Sequence, residues 1–386
     1  MVKDYYEPAE DSFLILEQVK KYVHGRVLDM GTGSGILAIE AAKHSTSVLA
    51  ADINPAAIKA ARQNALLQKI KNISFKRSDL FSSVKGSFDV IIFNPPYLPQ
   101  DKGLEDSAIY GGKHGYETIE RFLNRVNNYL GEEGIILLLF SSLTQKSIVD
   151  QIIRNNLLES TLLSTQHIFF EDLYVYLIKK SEILKKLNKK IKNLELLAKG
   201  KRGYVYTALL KNRKVAIKIR NPDSTAPARI KIETQFLRTL NKHKIGPRLI
   251  FWDDNYLIME FIEGTPILKY LSSAPKKRII KIIREIFWEL YTLDSLKLNK
   301  EEMHHPPKHI IIRNNKPVLI DFERARHSQK THNVTQFCQY LTSPHVTELL
   351  AKKNLRFGKQ KIMSLAREYS RDNSEGNLKK IINSIL

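Results

Sequence analysis

The tetrapeptide Asn94-Pro95-Pro96-Tyr97 is the part of this sequence whose residue types are best suited to chemistry. It follows the apolar stretch 88–93, and because two consecutive prolines cannot continue a strand, Asn94 is predicted to lie at a rigid strand end. The Asn94 side-chain oxygen and the backbone carbonyl of Pro95 can each accept one hydrogen of a planar amino group, on which Tyr97 can stack. The nitrogen lone pair would then face a methyl donor. The simpler alternative is an ordinary turn.

A second informative segment is the glycine-rich loop Asp29-Met30-Gly31-Thr32-Gly33-Ser34-Gly35. Its glycines permit positive φ and a close backbone approach to a ligand at a helix N-terminus. Asp52 follows about 20 residues later, where its carboxylate can accept both hydroxyls of a ribose. The spacing departs from the dinucleotide fingerprint and resembles motif I of class I S-adenosylmethionine-dependent methyltransferases. The alternative is that these glycines only turn the chain.

Strand-like and helical stretches alternate around these motifs. This alternation predicts an α/β fold with an open, mostly parallel sheet that binds ligands at the carboxyl ends of its strands. The predicted strands are residues 26–30, 47–51, 73–77, 88–93 and 135–141, and the predicted helices are residues 36–43, 56–67 and 118–130.

The segment from Tyr6 to Ile15, which reads Y-E-P-A-E-D-S-F-L-I, narrows the resemblance. It is similar to the opening of the HemK-related methyltransferases of archaea and eukaryotes, which modify the glutamine of the release-factor G-G-Q loop. The resemblance covers about residues 1–180 and implies a Rossmann-like domain with a seven-stranded, mostly parallel sheet. It also implies a class-1 translation release factor as substrate and a small zinc-binding activator that covers an exposed apolar strand. Whether the apolar residues 135–139 lie buried or near an edge stays open.

This resemblance assigns roles to individual residues. Asn94, Pro95 and Tyr97 would hold the glutamine, and Asp79 would contact the adenine amine, although a turn cap is an equally simple role for Asp79. The residues implied to hold the cofactor are Glu10, Asp29, Gly31, Gly33, Gly35 and Asp52. An adenine or guanine amine in RNA or DNA presents the same donor geometry as the amide and stays open as the alternative acceptor.

The charge is concentrated in the second half of the chain. Residues 1–180 hold 20 Lys and Arg against 21 Asp and Glu, whereas residues 181–386 hold 42 against 19, a net charge of +23. This excess predicts contact with tRNA, rRNA, the ribosome or another polyanion, the alternative being a lysine-rich surface without a partner. Residues 181–192 are predicted to form a basic linker helix that packs on the following domain.

Residues 193–386 carry a second set of motifs. Gly200 and Gly203 precede the strand-like Val215-Ala216-Ile217-Lys218, Glu233 lies in a helical stretch, and Asp321-Phe322-Glu323 follows another strand. These features resemble, in order, those of protein kinases, and most closely the small atypical kinases of the RIO group and the tRNA-modifying KEOPS complex. The resemblance implies an α+β kinase-like domain that binds ATP through Gly200, Gly203, Lys218, Glu233 and Asp321, with Asp321 as a magnesium ligand.

The catalytic loop departs from that family. His304 stands at the position of the catalytic aspartate and His309 at that of the second metal-binding asparagine. Nucleotide binding is therefore favoured over protein phosphorylation, and an ATPase switch, a pseudokinase platform or a binding module stays open. A zinc site formed by His304, His305 and His309 is a weaker alternative because no cysteine lies nearby.

Composition limits the cellular setting. The chain has 386 residues with 43% hydrophobic and 26% charged residues, which excludes a disordered or fibrous protein. The single cysteine, Cys338, excludes an intramolecular disulfide. The longest apolar run, 135–140, is too short to cross a membrane, and the acidic start at residues 1–4 lacks a signal-peptide pattern, so we expect a cytoplasmic protein without a membrane partner.

Overall fold

The computed structural model describes residues 7–100, 110–200, 203–221 and 229–385. The chain forms two compact units, Met1–Glu195 and Leu196–Leu386. This division falls within the strand Lys192–Lys199, close to the boundary that the sequence predicts at residue 193. Tyr6 of the N-terminal motif, residues 1–4 and the pair Lys201-Arg202 lie outside the described residues.

The first unit alternates helices and strands as predicted. Its strands are β1 (Arg26–Met30), β2 (Ser47–Asp52), β3 (Ile73–Arg77), β4 (Phe88–Phe93), β5 (Leu130–Ser141), β6 (Leu158–Ile168) and β7 (Glu171–Lys180). Its helices are α1 (Glu10–Tyr22), α2 (Ile36–His44), α3 (Pro55–Leu67), α4 (Glu117–Val126), α5 (Lys146–Asn155) and α6 (Glu182–Asn188).

Seven strands form one sheet in the order β3-β2-β1-β4-β5-β7-β6. The first five of these are parallel neighbours, and only β6 and β7 pair in antiparallel fashion. The predicted class I methyltransferase fold with a mostly parallel sheet is thereby confirmed. One side of the sheet packs on α1 through Ile15 and Val19, which are fully buried.

Strand β5 lies between β4 and β7, and Ile136, Leu137, Leu138 and Leu139 have no exposed surface. The sequence allows residues 135–139 to lie either buried or near an edge of the sheet, and the structure places them in an inner strand. The edge strands of this sheet are β3 and β6.

Two predicted helices differ from the structure. Helix α4 ends at Val126 rather than residue 130, because the chain turns there and Leu130 already pairs with Phe88 in the sheet. Helix α6 is shorter than the predicted linker helix and belongs to the first unit, where Lys185 and Lys189 pair with Glu133 and Glu132 of β5. The prediction that this helix packs on the second domain is therefore wrong, because α6 belongs to the first unit.

The second unit contains ten short strands and seven helices among its described residues. The strands are β8 (Lys192–Lys199), β9 (Gly203–Leu210), β10 (Arg213–Arg220), β11 (Leu249–Trp252), β12 (Tyr256–Glu260), β13 (Thr265–Pro266), β14 (Leu298–Asn299), β15 (Ile310–Arg313), β16 (Lys316–Leu319) and β17 (Arg326–His327). The helices are α7 (Arg229–Lys242), α8 (Ile267–Ser273), α9 (Lys276–Ser295), α10 (Asn333–Leu341), α11 (Pro344–Ala351), α12 (Lys359–Arg371) and α13 (Glu375–Asn383).

Strands β8 to β12 form a sheet in the order β11-β12-β10-β9-β8, in which β9 and β12 flank β10 in antiparallel fashion. The core of this unit is built mainly by its helices, because α9 buries Ile282, Ile286 and Leu290 against α10 and α13. Cys338 lies within this core, fully buried on α10. None of the helices in the described part of the chain is long and apolar enough to span a membrane.

Candidate active site

A cavity of about 390 Å³ opens at the carboxyl ends of β1, β2 and β4. Met30, at the end of β1, lies in register with Ala51 of β2 and Phe93 of β4, so the loops that follow these strands meet at one edge of the sheet. The cavity is lined by residues 31–34, 52–54, 78–80 and 93–98, together with Pro8, Asp11, Ser12, Met30, Ile36, Leu37, Ala57, Tyr110, Thr118 and Arg121.

This lining brings together most of the residues that the sequence assigned to the site. The predicted residues that line the cavity are Gly31, Gly33, Asp52, Asp79, Asn94, Pro95 and Tyr97. Glu10, Asp29 and Gly35 are not part of the lining. Glu10 is exposed in the first turn of α1, while its neighbour Asp11 faces inward.

Asp29 and Gly35 are the two ends of the glycine-rich loop, and both have a structural role there. Gly35 has a φ of +86°, and a Cβ there would lie 2.9 Å from the Cβ of Ala61, so the close approach of α3 requires glycine. Asp29 is 1% exposed and accepts a hydrogen bond from the Thr32 hydroxyl at 2.6 Å, and its Oδ1 has no hydrogen-bond partner among the described residues. Burial raises the pKa of Asp29 to about 7.

The Asp52 carboxylate faces the cavity and is held by backbone groups. The Gly33 N–H donates to its Oδ2 and the Asn54 N–H to its Oδ1, both at 2.9 Å. The N–H groups of Gly31 and Thr32 donate to the Ala51 carbonyl, which ties the glycine loop to the end of β2. Each carboxylate oxygen keeps a lone pair for a further donor.

Asn94 shows a marked asymmetry between the two atoms of its amide. Its Nδ2 donates to Asp11 Oδ2 at 2.9 Å, whereas its Oδ1 is buried and has no hydrogen-bond partner among the described residues. Buried carbonyl oxygens are nearly always paired in folded proteins. Of the two amide atoms of this cavity-lining residue, the oxygen is therefore the one that still lacks a hydrogen-bond donor among the described residues.

Sequence reasoning missed Asp11, although it stands next to the predicted Glu10. Asp11, Ile15 and Val19 are buried at helical spacing, so this periodicity could have placed Asp11 on the inner face of α1. Its contact with Asn94 joins residues 83 positions apart, and no local pattern reveals such a pair.

Asp79 lies at the rim of the cavity. Its carboxylate oxygens accept hydrogen bonds from Arg121 Nη2 at 2.7 and 2.9 Å, and its backbone N–H donates to Ser82 Oγ at 3.1 Å. Both side chains of the ion pair are about half exposed. The turn cap considered for Asp79 is made instead by Ser78, whose Oγ accepts a hydrogen bond from the Ser83 N–H at 2.9 Å, while the Asp79 carboxylate pairs with Arg121.

Comparisons with known proteins match this unit. Residues 9–166 match the methyltransferase small domain family. A relative from Methanocaldococcus jannaschii, which carries the name protein N5-glutamine methyltransferase, is 45% identical over 147 residues, which cover 36% of this chain and 74% of the relative. The chain belongs to the protein N5-glutamine methyltransferase family. It is an S-adenosylmethionine-dependent methyltransferase.

Two other known proteins match the first unit at lower identity. The release factor glutamine methyltransferase of Deinococcus radiodurans is 34% identical over 136 residues, and the chain spans about half of that relative, 49% of its length. The structure of the Mtq2–Trm112 complex of E. cuniculi, described as responsible for methylation of the eRF1 termination factor, is 29% identical and covers 46% of this chain and 99% of the matched chain, with a TM-score of 0.40.

A second cluster of charged side chains lies in the second unit around Lys218 of β10. Its Nζ lies 2.8 Å from Glu233 Oε2 of α7, 3.1 Å from Asp321 Oδ1 and 2.9 Å from Glu323 Oε2. Burial opposes the charge on Lys218, but the three carboxylates outweigh it and raise the pKa of the ammonium group. The predicted residues Lys218, Glu233 and Asp321 are therefore neighbours.

The predicted glycines lie beside this cluster. The Gly200 N–H donates to the Gly203 carbonyl at 3.0 Å, and Gly203 pairs with Arg220, two residues from Lys218. Lys300, which the sequence did not single out, is 2% exposed, donates to the Asp321 carbonyl and lies 4.7 Å from the centre of the Phe322 ring. Burial lowers the pKa of Lys300 to about 8.

The three histidines of residues 304–309 differ in solvent exposure. His304 and His305 are exposed, whereas His309 is mostly buried, with Nε2 2.9 Å from Glu302 Oε2 and Nδ1 3.9 Å from Asp321 Oδ2. Burial lowers the pKa of His309, so the neutral imidazole is favoured. Within the described ranges, no group of three or more His, Cys, Asp or Glu side chains is placed to hold a metal ion, which argues against the zinc alternative.

Proposed function

We propose that the first unit transfers a methyl group to the side-chain amide of a glutamine in a class-1 translation release factor. The buried Oδ1 of Asn94, which lacks a hydrogen-bond partner within the described ranges, carries this proposal, because a primary amide needs a hydrogen-bond acceptor at that point. The names of the relatives from Methanocaldococcus and Deinococcus support glutamine as the acceptor.

The cavity residues suit S-adenosylmethionine. Asp52 keeps acceptor capacity for ribose hydroxyls, and the glycine loop leaves open space above Gly31, where a Cβ would meet no atom closer than 3.7 Å. Since Arg121 pairs with Asp79, the Asp52 carboxylate gives the lining a negative charge that favours a cationic ligand. The bound cofactor supplies an activated sulfonium methyl group.

The chain itself supplies positioning. An amide nitrogen is a poor nucleophile, so catalysis depends on holding it in line and on stabilising the charge that develops during transfer. In this proposal Asn94 Oδ1 and the Pro95 carbonyl each accept one amide hydrogen, while Tyr97 stacks on the planar group. No general base on the protein is required before transfer.

The test uses the full chain with tritiated S-adenosylmethionine and two purified release factors, one native and one with the glutamine of the G-G-Q loop replaced by asparagine. We expect label on the native factor only, and at least a 100-fold slower transfer by Asn94→Ala, with cofactor affinity by calorimetry changed less than threefold. Label on added RNA or DNA instead of the factor would overturn the proposal in favour of an adenine or guanine amine.

For the second unit, we propose a kinase-like fold that binds ATP with magnesium at the Lys218 cluster. The Lys218–Glu233 pair, the pairing of Gly203 with Arg220 and the position of Asp321 support this assignment, with Asp321 as the residue that would hold the metal. Since His304 is exposed and no carboxylate takes its place in the sequence, we propose binding without phosphorylation of a protein substrate.

Thermal shift with Mg-ATP tests this second proposal. We expect ATP at 100 times its dissociation constant to stabilise the unit by about 2.7 kcal/mol. Lys218→Met should abolish the shift, and Lys214→Met on the same strand should retain it. A shift that survives Lys218→Met would exclude the Lys218 cluster as the ATP site.

Two partner proposals remain. The net charge of the second half supports contact with tRNA, rRNA or the ribosome.

A small zinc-binding activator is proposed from the family resemblance. The edge strand β3, in which Ile73 and Phe75 are only half-buried, is a surface to which a strand of this partner could add. Replacing Phe75 by Lys should then abolish co-purification with the activator.

A further inference from the structure

The amide of Asn94 can present either its oxygen or its nitrogen to a bound group, and the two orientations have opposite chemistry. The oxygen accepts hydrogen bonds, whereas the nitrogen only donates them. A methyl acceptor with an amino group needs the oxygen. Asparagine alone has no preference, so another residue must choose the orientation.

Asp11 makes this choice in the structure. Its carboxylate is 4% exposed and accepts a hydrogen bond from Asn94 Nδ2 at 2.9 Å. An ionised carboxylate has acceptors only, so a reversed amide would set two oxygens against each other. Asn94 lines the cavity, and with this contact made its Oδ1 has no hydrogen-bond partner in the described part of the chain.

Asp11 is also held rigidly. It lies in the first turn of α1, whose buried residues Ile15 and Val19 pack into the core of the first unit. A carboxylate on a packed helix is better able to fix a neighbouring side chain than one on a loop.

We propose that Asp11 is a positioning residue that orients the Asn94 amide so that its oxygen faces the methyl acceptor. The inference rests on the proposed function only in requiring that the acceptor carries an amino group. It gives Asp11, rather than its neighbour Glu10, the decisive role in this part of the N-terminal motif.

A reciprocal exchange tests the proposal. The variants are Asp11→Asn, Asn94→Asp and the double exchange, in which the amide introduced at position 11 can donate to the carboxylate introduced at position 94. The second oxygen of that carboxylate is then free to accept from the substrate. Asp150→Asn is the control, because Asp150 accepts from Tyr176 at 2.9 Å and lies outside the cavity lining.

We expect Asp11→Asn to lower kcat by 10- to 100-fold with cofactor affinity changed less than threefold, and the double exchange to recover at least tenfold over the poorer single variant. The control should keep kcat. Full activity of Asp11→Asn, parallel loss of cofactor binding, or a double exchange no better than the poorer single variant would each overturn the inference. A purely structural role for Asp11 predicts no such recovery.

The two proposals fail separately. If the native chain labels RNA or DNA rather than the release factor, the proposed substrate is wrong, and the same four variants are then assayed on the labelled nucleic acid. Recovery by the double exchange there would still support the role of Asp11.

Discussion

At the scale of single residues, the first unit keeps two buried carboxylates close to its cavity, and their surroundings differ. Asp11 has the Asn94 amide as a donor, whereas one oxygen of Asp29 has no hydrogen-bond partner among the described residues. An unpaired buried carboxylate disfavours its own charge. The free energy needed to bury the ionised Asp29 carboxylate should therefore make the stability of the folded chain depend on pH.

We expect Asp29→Asn to become more stable relative to the native chain as pH rises. The folded-state pKa of Asp29 is about 7, above the ordinary 3.8, so between about pH 4 and pH 7 the folded chain binds more protons than the unfolded chain and loses stability. The asparagine variant avoids this loss, which is at most about 4 kcal/mol. Urea unfolding at pH 5 and pH 8 measures the free energy of unfolding of both chains. A difference between the variant and the native chain that is the same at both pH values would refute the prediction.

Glu323 is the residue that most alters the second cluster, because it adds a third carboxylate 2.9 Å from Lys218. A nucleotide phosphate that pairs with Lys218 would have to compete with it. We expect Glu323→Gln to raise the affinity for Mg-ATP by roughly tenfold, about 1.4 kcal/mol, measured by calorimetry. Glu348→Gln, which removes only a surface pair, should have no effect, and an equal gain in that control would contradict the argument.

At the scale of elements, the strands were predicted better than the helix ends. The bounds of β1 and β4 were predicted to the residue because buried parallel strands are largely apolar segments, and the bounds of the half-exposed edge strand β3 were also correct. The end of α4 was wrong because Leu123, Val126 and Leu130 keep an apolar spacing across the turn. Distant contacts such as Asp11 with Asn94 follow from how elements pack, so the site could be predicted only in part.

Gly35 links two elements, and its substitution tests that packing. Gly35→Ala should destabilise the first unit by about 2 kcal/mol, since it combines a φ of +86° with a Cβ placed 2.9 Å from Ala61 Cβ. Thermal unfolding measures the loss. Gly358→Ala is the control, because its new Cβ would come no closer than 3.7 Å to another atom, and an equal loss in that variant would contradict the argument.

At the scale of the whole molecule, charge separates the two halves more clearly than any motif does. The first half is close to neutral, and the second carries a net charge of +23. This difference in charge could be predicted from the sequence, but the surface that would bind a polyanion could not. The structure adds that α9 begins with Lys276, Lys277 and Arg278, all exposed, and that its first turn holds no acidic residue.

We expect the full chain to bind unfractionated tRNA with an affinity that falls about 1,000-fold between 50 and 200 mM salt, as for roughly six phosphate contacts. Replacing Lys276, Lys277 and Arg278 by glutamine should weaken binding and flatten the salt dependence. The same change at Lys20 and Lys21 of α1 should do neither. Filter binding measures both, and a salt-independent affinity would exclude phosphate recognition.

The buried position of Cys338 has a practical consequence. Its thiol is the only one in the sequence, and burial raises its pKa to about 12, so the thiolate that reacts with maleimides is scarce at neutral pH. Fluorophores or spin labels can therefore be attached to cysteines introduced on the surface of each unit, with little background from Cys338. The distance between a label on each unit could then be measured in solution before and after the methyl donor or a nucleotide is added.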